Sequence, residues 1–200
     1  KFITEGAPCH YTWYAPHGVY GLMDAMGGKD KYASKLDSMF SEGRYWHGNE
    51  PCHQVAFMFN YAGQPWKTQR EVRHIMDTEY LNVPGGLSGN DDAGQMSAWY
   101  MFAAMGFYPV CPGTPYYMIS SPSFSSMTIN LENGKKFKIL AHGASSTNIY
   151  IQSAKLNGEE YDKNYISHDD IMSGGTFEFV MRAERNIKWA SSTNSCLRIN

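Results

Sequence analysis

Pro109-Val110-Cys111-Pro112-Gly113-Thr114-Pro115 divides the chain into two segments with different hydrophobic periods. Three prolines in seven residues remove backbone donors and fix φ, so neither a helix nor a central strand runs through them. Before this cluster the period is helical. In Lys29–Phe40, the residues Tyr32, Leu36, Met39 and Phe40 recur at i, i+4, i+7 and i+8. In Trp66–Tyr80, a stripe of Val72, Ile75, Met76 and Tyr80 stands opposite Lys67, Arg70, Glu71 and Asp77, with Pro65 suited to the first turn. Val55–Tyr61 is nearly all apolar and predicts an inner helix. Met96–Met105 is apolar all round and predicts a buried one. Amphipathic outer helices alternating with apolar inner ones point to a two-layered helical array.

After Pro115 the pattern is short and alternating. Met127–Leu131 alternates, Glu132-Asn133-Gly134 is a hairpin turn, and Phe137–Leu140, Asn148–Ser153 and Thr176–Met181 read as strands. Asn157-Gly158 and Gly174-Gly175 are turn signals. The expected fold is mainly α with a C-terminal all-β segment, divided as 1–109 and 110–200, the second part a small antiparallel unit.

Two hundred residues with a net charge of −2 suit one domain, or one with a small appendage. That charge gives no basic footprint for nucleic acid. No apolar run approaches the roughly 18 residues of a membrane helix. Cys9, Cys52, Cys111 and Cys196 form no CxxC pair. The repeated Pro8-Cys9-His10 and Pro51-Cys52-His53 do not match zinc spacing. A Cys9–Cys52 disulfide or two buried thiols accounts for them better.

Three loops that lead into helices concentrate the chemistry. They are Glu5–Trp13, Tyr45–His53, and the Gly-flanked turn Gly89-Asn90-Asp91-Asp92-Ala93-Gly94. One Asn or Asp would cap the helix that follows. Two carboxylates beside a carboxamide exceed that need, and carboxylates are rarely taken toward an interior without a partner, a metal or a reaction. Gathered at one end of a helical array, these loops would line a pocket with acids, amides, histidines and indoles. Such a mixture suits a sugar, with polar groups for hydroxyls and Trp46 for the apolar ring face. Two facing carboxylates suit glycoside hydrolysis. Asn49, Glu50 and Asp92 suit a hard cation such as calcium. Each cluster also has a structural reading: Asn49-Glu50 as a cap, and His10, His47 and His53 as satisfied core histidines.

His47-Gly48-Asn49-Glu50-Pro51, Asn60–Gln69, Gly89–Tyr100 and Met105-Gly106-Phe107-Tyr108-Pro109 together resemble glycoside hydrolase family 92, and the likeness continues through Ser121-Pro122, Asn133-Gly134-Lys135 and Tyr150–Ala154. The resemblance implies a calcium-dependent, inverting exo-α-mannosidase. Its fold is an N-terminal β-sandwich followed by an (α/α)6 barrel. Residues 1–109 would be the last barrel helices, and residues 110–200 the closing β segment. Glu5 matches the general acid and Asp92 the general base, while Asn90 stands where the family has a second acidic position. Asn49, Glu50 and Asp92 lie in the motifs around the calcium. Trp46, His47, His10 and Asp91 are expected at the sugar.

Two departures from the family are visible. Gly6-Ala7-Pro8-Cys9-His10-Tyr11 stands where the family often reads Gly-Asn-x-Trp-Gln-Tyr. Tyr45-Trp46 stands near the His-Glu of α-1,2-specific members, which counts against that linkage. The implied partners are a mannose-containing glycan and either the missing N-terminal part or a second copy, because a partial barrel leaves apolar helix flanks uncovered. The 200 residues alone are expected to be inactive, and the implied location is secreted, periplasmic or at the cell surface. Two rivals are a carbohydrate-binding or structural fragment without turnover, and a metal-dependent hydrolase built on the Cys-His pairs.

Overall fold

A computed structural model describes residues 3–198. Helices come first: α1 (Pro8–Tyr11), α2 (Val19–Ala25), α3 (Lys29–Ser41), α4 (Pro65–Thr78) and α5 (Gln95–Met105). The two amphipathic stripes are the α3 and α4 of the structure. Tyr32, Leu36 and Met39 of α3, and Val72, Ile75 and Met76 of α4, are buried as their period requires. Glu71, placed on the outer face by that pattern, is instead buried beside the Arg70 guanidinium.

Two expectations need correction. Val55–Asn60 is a 3-10 segment rather than an α-helix, although every one of its residues is buried. Helix α5 is not buried all round. Met96, Trp99, Ala103 and Ala104 face inward, while Met101 is 61% exposed. Leu81 at 64% and Val83 at 59% are likewise exposed, and Tyr80, Leu81, Leu87, Tyr100 and Met101 line one apolar hollow.

Strands follow: β1 (Phe107–Tyr108), β2 (Tyr116–Ile119), β3 (Ser126–Asn130), β4 (Lys136–His142), β5 (Tyr150–Leu156), β6 (Glu159–Glu160), β7 (Tyr165–Ser167) and β8 (Gly175–Arg182). A short helix, α6 (His168–Met172), precedes β8. They form a three-stranded sheet, β1-β2-β7, and a five-stranded sheet, β3-β4-β8-β5-β6. The unit is not wholly antiparallel, since β4 pairs with β8 in parallel, Phe137 opposite Gly175 and Ile139 opposite Phe177. Both are interior strands of the sheet, and each buries alternate residues on one face while the other face is exposed or half-buried. The β3–β4 hairpin turns at Glu132-Asn133-Gly134, where Gly134 has φ 81° and Asn133 Oδ1 accepts from the Lys135 amide at 3.0 Å.

The small sheet is a wall shared by two cores. Adjacent strand residues point to opposite faces. Tyr108 and Met118 therefore pack on the helical side with Phe57, Val72 and Trp99. Phe107, Ile119 and Ile166 pack on the other side with Ile139, Phe177 and Phe179. The Pro-rich segment thus joins β1 to β2 within one sheet.

Buried side chains tie the halves together. Asn60 Nδ2 donates to Ile119 O (2.8 Å) and Asn164 O (2.7 Å), and Asn164 Nδ2 returns a bond to Asn60 O at 2.8 Å. From α4, Arg73 donates to Pro122 O (3.1 Å) and Ser145 O (3.0 Å), and Gln69 Oε1 accepts from the Ile151 amide. Asn164→Ala would remove this bond while the Asn60 carbonyl keeps the Gly63 amide as donor, at a cost of about 0.5–1.5 kcal/mol. A clear drop in thermal midpoint of the complete protein is the expected result. An unchanged midpoint would mean that this junction contributes nothing to stability.

Candidate active site

Glu5, Trp46, Gly48, Asn49, Gly89, Asn90 and Asp92 line a cavity of about 260 Å³. All three loops singled out from sequence contribute. The loops at 46–50 and 88–92 meet backbone to backbone. A Cβ on Gly89 would lie 2.2 Å from Gly48 O, and one on Gly48 would lie 2.7 Å from Ser88 O and Trp46 Nε1. Glycine at both positions is therefore a condition of the approach that brings Asn49 to Asp92. Trp46, 38% exposed, stands on the same wall.

Both carboxylate residues of the cavity have left-handed backbone, Glu5 at φ 59° and Asp92 at φ 47°. Non-glycine residues adopt this region at a cost of order 1 kcal/mol or more and hold it where surroundings dictate it, often at functional sites. Nothing in the residue pattern signals this feature.

The acidic triplet divides its work. Asp91 Oδ1 accepts from the Ser97 amide at 2.9 Å and the Ser97 hydroxyl at 3.0 Å, so this carboxylate closes the first turn of α5. The helix N-cap is Gly94, with no side-chain capping bond. Capping thus falls to Asp91, while Asn90 and Asp92 face the cavity. Asp91, expected at the sugar, does not line the cavity.

Nor do the two histidines expected there. His47 is fully buried. Tyr80 Oη donates to Met96 O at 3.0 Å and so accepts from His47 Nε2 at 2.7 Å, leaving His47 Nδ1 to accept from Tyr45 Oη at 2.7 Å. Burial and the neighbouring His53 push its pKa down to about 2, so it is neutral. Beneath the cavity, His53 donates to His47 O and accepts from Gln95, and Trp99 Nε1 donates to His53 O. Burial lowers the pKa of His53 too, against smaller opposing pulls, first from its bond to His47 O and then from the Asp92 carboxylate. His10 Nδ1 accepts from the Ala7 amide at 3.2 Å, which leaves Nε2 to donate to Arg44 O at 3.0 Å. A sugar contact by His10 or His47 would break one of these bonds. Tyr11, whose hydroxyl accepts from Asn49 Nδ2 at 3.2 Å and donates to Thr4 O at 2.8 Å, keeps the tyrosine of the motif compared above, but its role is not marked in the sequence because one partner is remote.

The donors suit a hard cation. Asn49 uses Nδ2 on Glu5 O and Tyr11 Oη, which leaves its Oδ1 for a ligand. The Asp92 carboxylate and the Asn90 carboxamide complete an oxygen set of the kind calcium accepts. Glu50 does not line the cavity. Among the described residues, no three His, Cys, Asp or Glu side chains cluster to hold a metal by themselves. The Cys-His pairs therefore build no zinc centre among those residues, and all four cysteines are free thiols, with burial raising the pKa of Cys52 to about 12.

Comparison with known proteins matches this geometry to a family. The model of the glycosyl hydrolase family 92 catalytic domain matches residues 1–183. The structure is similar to an α-mannosidase of family 92 from Bacteroides thetaiotaomicron, at 45% identity and a TM-score of 0.93 over 98% of this chain and 27% of that one. It is also similar to a family 92 inverting mannosidase from the same organism, at 37% identity and a TM-score of 0.91, covering 97% of this chain and 30% of that one. An uncharacterized secreted glycosidase of Arthroderma benhamiae is 31% identical over 185 residues, which are 91% of this chain and 24% of the relative. The chain thus spans about a quarter of the length of these relatives. With a family model covering nearly all of it, and with its cavity lined by the loops that carry the family motifs, this chain belongs to glycosyl hydrolase family 92.

Proposed function

We propose that the complete polypeptide removes terminal α-linked mannose from glycans with inversion of configuration, and that this chain supplies both proton-transfer groups. The observation that carries the reading is the placement of Glu5 and Asp92 on one cavity, each on a left-handed backbone that aims it from a separate loop. Glu5, protonated, gives its proton to the glycosidic oxygen as that bond breaks. Asp92, ionised, takes a proton from a water attacking C1 on the opposite face. The product leaves with inverted configuration, Glu5 ionised and Asp92 protonated, and solvent exchange restores both. A binding module needs neither group as acid or base. Trp46 lines the same cavity as Glu5, where an indole suits the apolar face of a sugar. The fungal relative is described as secreted, and no helix among the described residues is long and apolar enough to cross a membrane. An extracytoplasmic location fits a glycan substrate.

Calcium fits the oxygen set of Asn49, Asn90 and Asp92, with water and sugar hydroxyls completing its shell. When bound, it would orient the mannose hydroxyls and favour a flattened ring. Chelator treatment of the complete enzyme is expected to abolish α-mannoside hydrolysis, and calcium to restore it better than zinc. Activity that survives thorough chelation would sink the calcium assignment and leave the carboxylate assignment standing.

The exposed apolar face of Leu81, Val83 and Met101 lies next to the 88–92 loop in sequence. In the proposed whole enzyme this face is covered by the remaining part of the protein, which also completes the sugar pocket. On this reading the 200 residues alone do not hydrolyse mannosides.

A further inference from the structure

The backbone that carries Glu5 is held by side-chain bonds at Thr4, Glu5 and Ala7. Tyr11 Oη donates to Thr4 O at 2.8 Å. Asn49 Nδ2 donates to Glu5 O and, at 3.2 Å, to the same Tyr11 oxygen. His10 Nδ1 accepts from the Ala7 amide at 3.2 Å and is itself anchored on Arg44 O at 3.0 Å. Between these points the chain bends closely over the Tyr11 ring. A Cβ on Gly6 would lie 2.9 Å from Tyr11 Cε2 and 3.1 Å from His10 Nδ1. Glu5 itself sits at φ 59°, a conformation a glutamate does not choose unaided.

We infer that Tyr11 is a positioning residue for the proton donor: its hydroxyl, bonded to Thr4 O and Asn49, holds Glu5 in its left-handed conformation at the cavity. The inference rests on the proposed role of Glu5 as general acid. The phenol is the point where two strands of the clamp meet. It accepts from the loop that carries Asn49 and donates to the peptide just before Glu5, so the acid loop and the 46–50 loop are fixed to one atom. Removing that atom frees Thr4 O, while Asn49 keeps its bond to Glu5 O, and Glu5 can relax toward ordinary backbone with its carboxyl away from the glycosidic oxygen. Ring packing against Gly6 survives in phenylalanine, so Tyr11→Phe removes the hydroxyl and little else. Misplacement of a reacting group by about 1 Å is worth up to about 100-fold in rate.

The test uses the complete enzyme with two substrates, methyl α-mannoside with a poor leaving group and a dinitrophenyl α-mannoside with a good one. Tyr11→Phe is expected to lower kcat on the methyl glycoside by about tenfold to about 100-fold, with KM and thermal midpoint little changed. Turnover of the dinitrophenyl glycoside, which leaves without a proton, should be nearly unaffected. In a Glu5→Gln background, Tyr11→Phe should add no further loss on the methyl glycoside. Equal losses on the two substrates, or a full additional loss in the Glu5→Gln background, would overturn the positioning role while leaving the acid assignment intact. Absence of leaving-group dependence in Glu5→Gln itself would overturn the acid assignment and this inference with it.

Discussion

Asp92→Asn in the complete polypeptide is expected to lower kcat toward α-mannosides by about 10²–10⁴-fold, the usual contribution of a positioned general base. The loss should be alike for poor and good leaving groups, because water attack is required for both. The fold should persist. Asp92 is exposed, and among the described residues its carboxylate accepts no hydrogen bond, so no packing or buried bond is lost. Its φ of 47° is one that asparagine adopts more readily than most residues. The 88–92 loop should therefore keep its path over Gly48, and circular dichroism and thermal midpoint should match the parent. Unimpaired turnover by a folded Asp92→Asn protein would remove the base from Asp92.

Glu5→Gln should produce a different profile. Glutamine keeps the shape and the backbone demands of glutamate but donates no proton. Hydrolysis of alkyl mannosides and mannose disaccharides should fall by about 10²–10⁴-fold, while a dinitrophenyl mannoside should turn over within a few-fold of the parent. Asn49 Nδ2 bonds the Glu5 carbonyl rather than its carboxyl, so the loop has no reason to move. Losses of equal size on the two substrate types would count against Glu5 as the acid.

Much of the fold is legible in the residue pattern because its signals are local. The prolines between 109 and 115 end the helical period, and α3 and α4 follow from apolar residues at helical spacing. The Asn133-Gly134 and Asn157-Gly158 turns follow from residues that tolerate positive φ, which Gly134, Asn157 and Gly158 adopt. What escapes the pattern is decided at a distance. Val55–Asn60 reads as helix because it is apolar, but it is enclosed on all sides and winds as 3-10, ending at Tyr61 before Gly63 with its own positive φ. The parallel pairing of β4 with β8 joins segments nearly forty residues apart, and no hairpin turn announces it. Strands β1, β2 and β7 are too short to show alternation, yet they form the wall between the cores.

The same division holds at the cavity. Acids and amides in three loops that lead into helices mark the loops of the cavity, and the family resemblance picks out Glu5, Asn90 and Asp92 within them, whereas Glu50, marked by the same signals as Asn49, does not line it. Sequence could not apportion the Asn90-Asp91-Asp92 triplet. That outcome depends on Ser97, one turn into α5, taking the Asp91 carboxylate. His47 lies beside the cavity residues in sequence but beneath them in space, since Tyr45 and Tyr80 satisfy both ring nitrogens in the core. The close approach of Gly48 to Gly89 and the left-handed φ of Glu5 and Asp92 are likewise matters of three-dimensional fit.

Central to the proposed mechanism is that Glu5 and Asp92 act from opposite faces of one mannose ring, as acid and base with a water between them. Proton NMR of the complete enzyme acting on an aryl α-mannoside, recorded before the free sugar mutarotates, reads this directly. First-formed β-mannose is the predicted result. First-formed α-mannose would require a covalent intermediate on a carboxylate about 5 Å from the acid, and would contradict the role of Asp92 as the base that activates water.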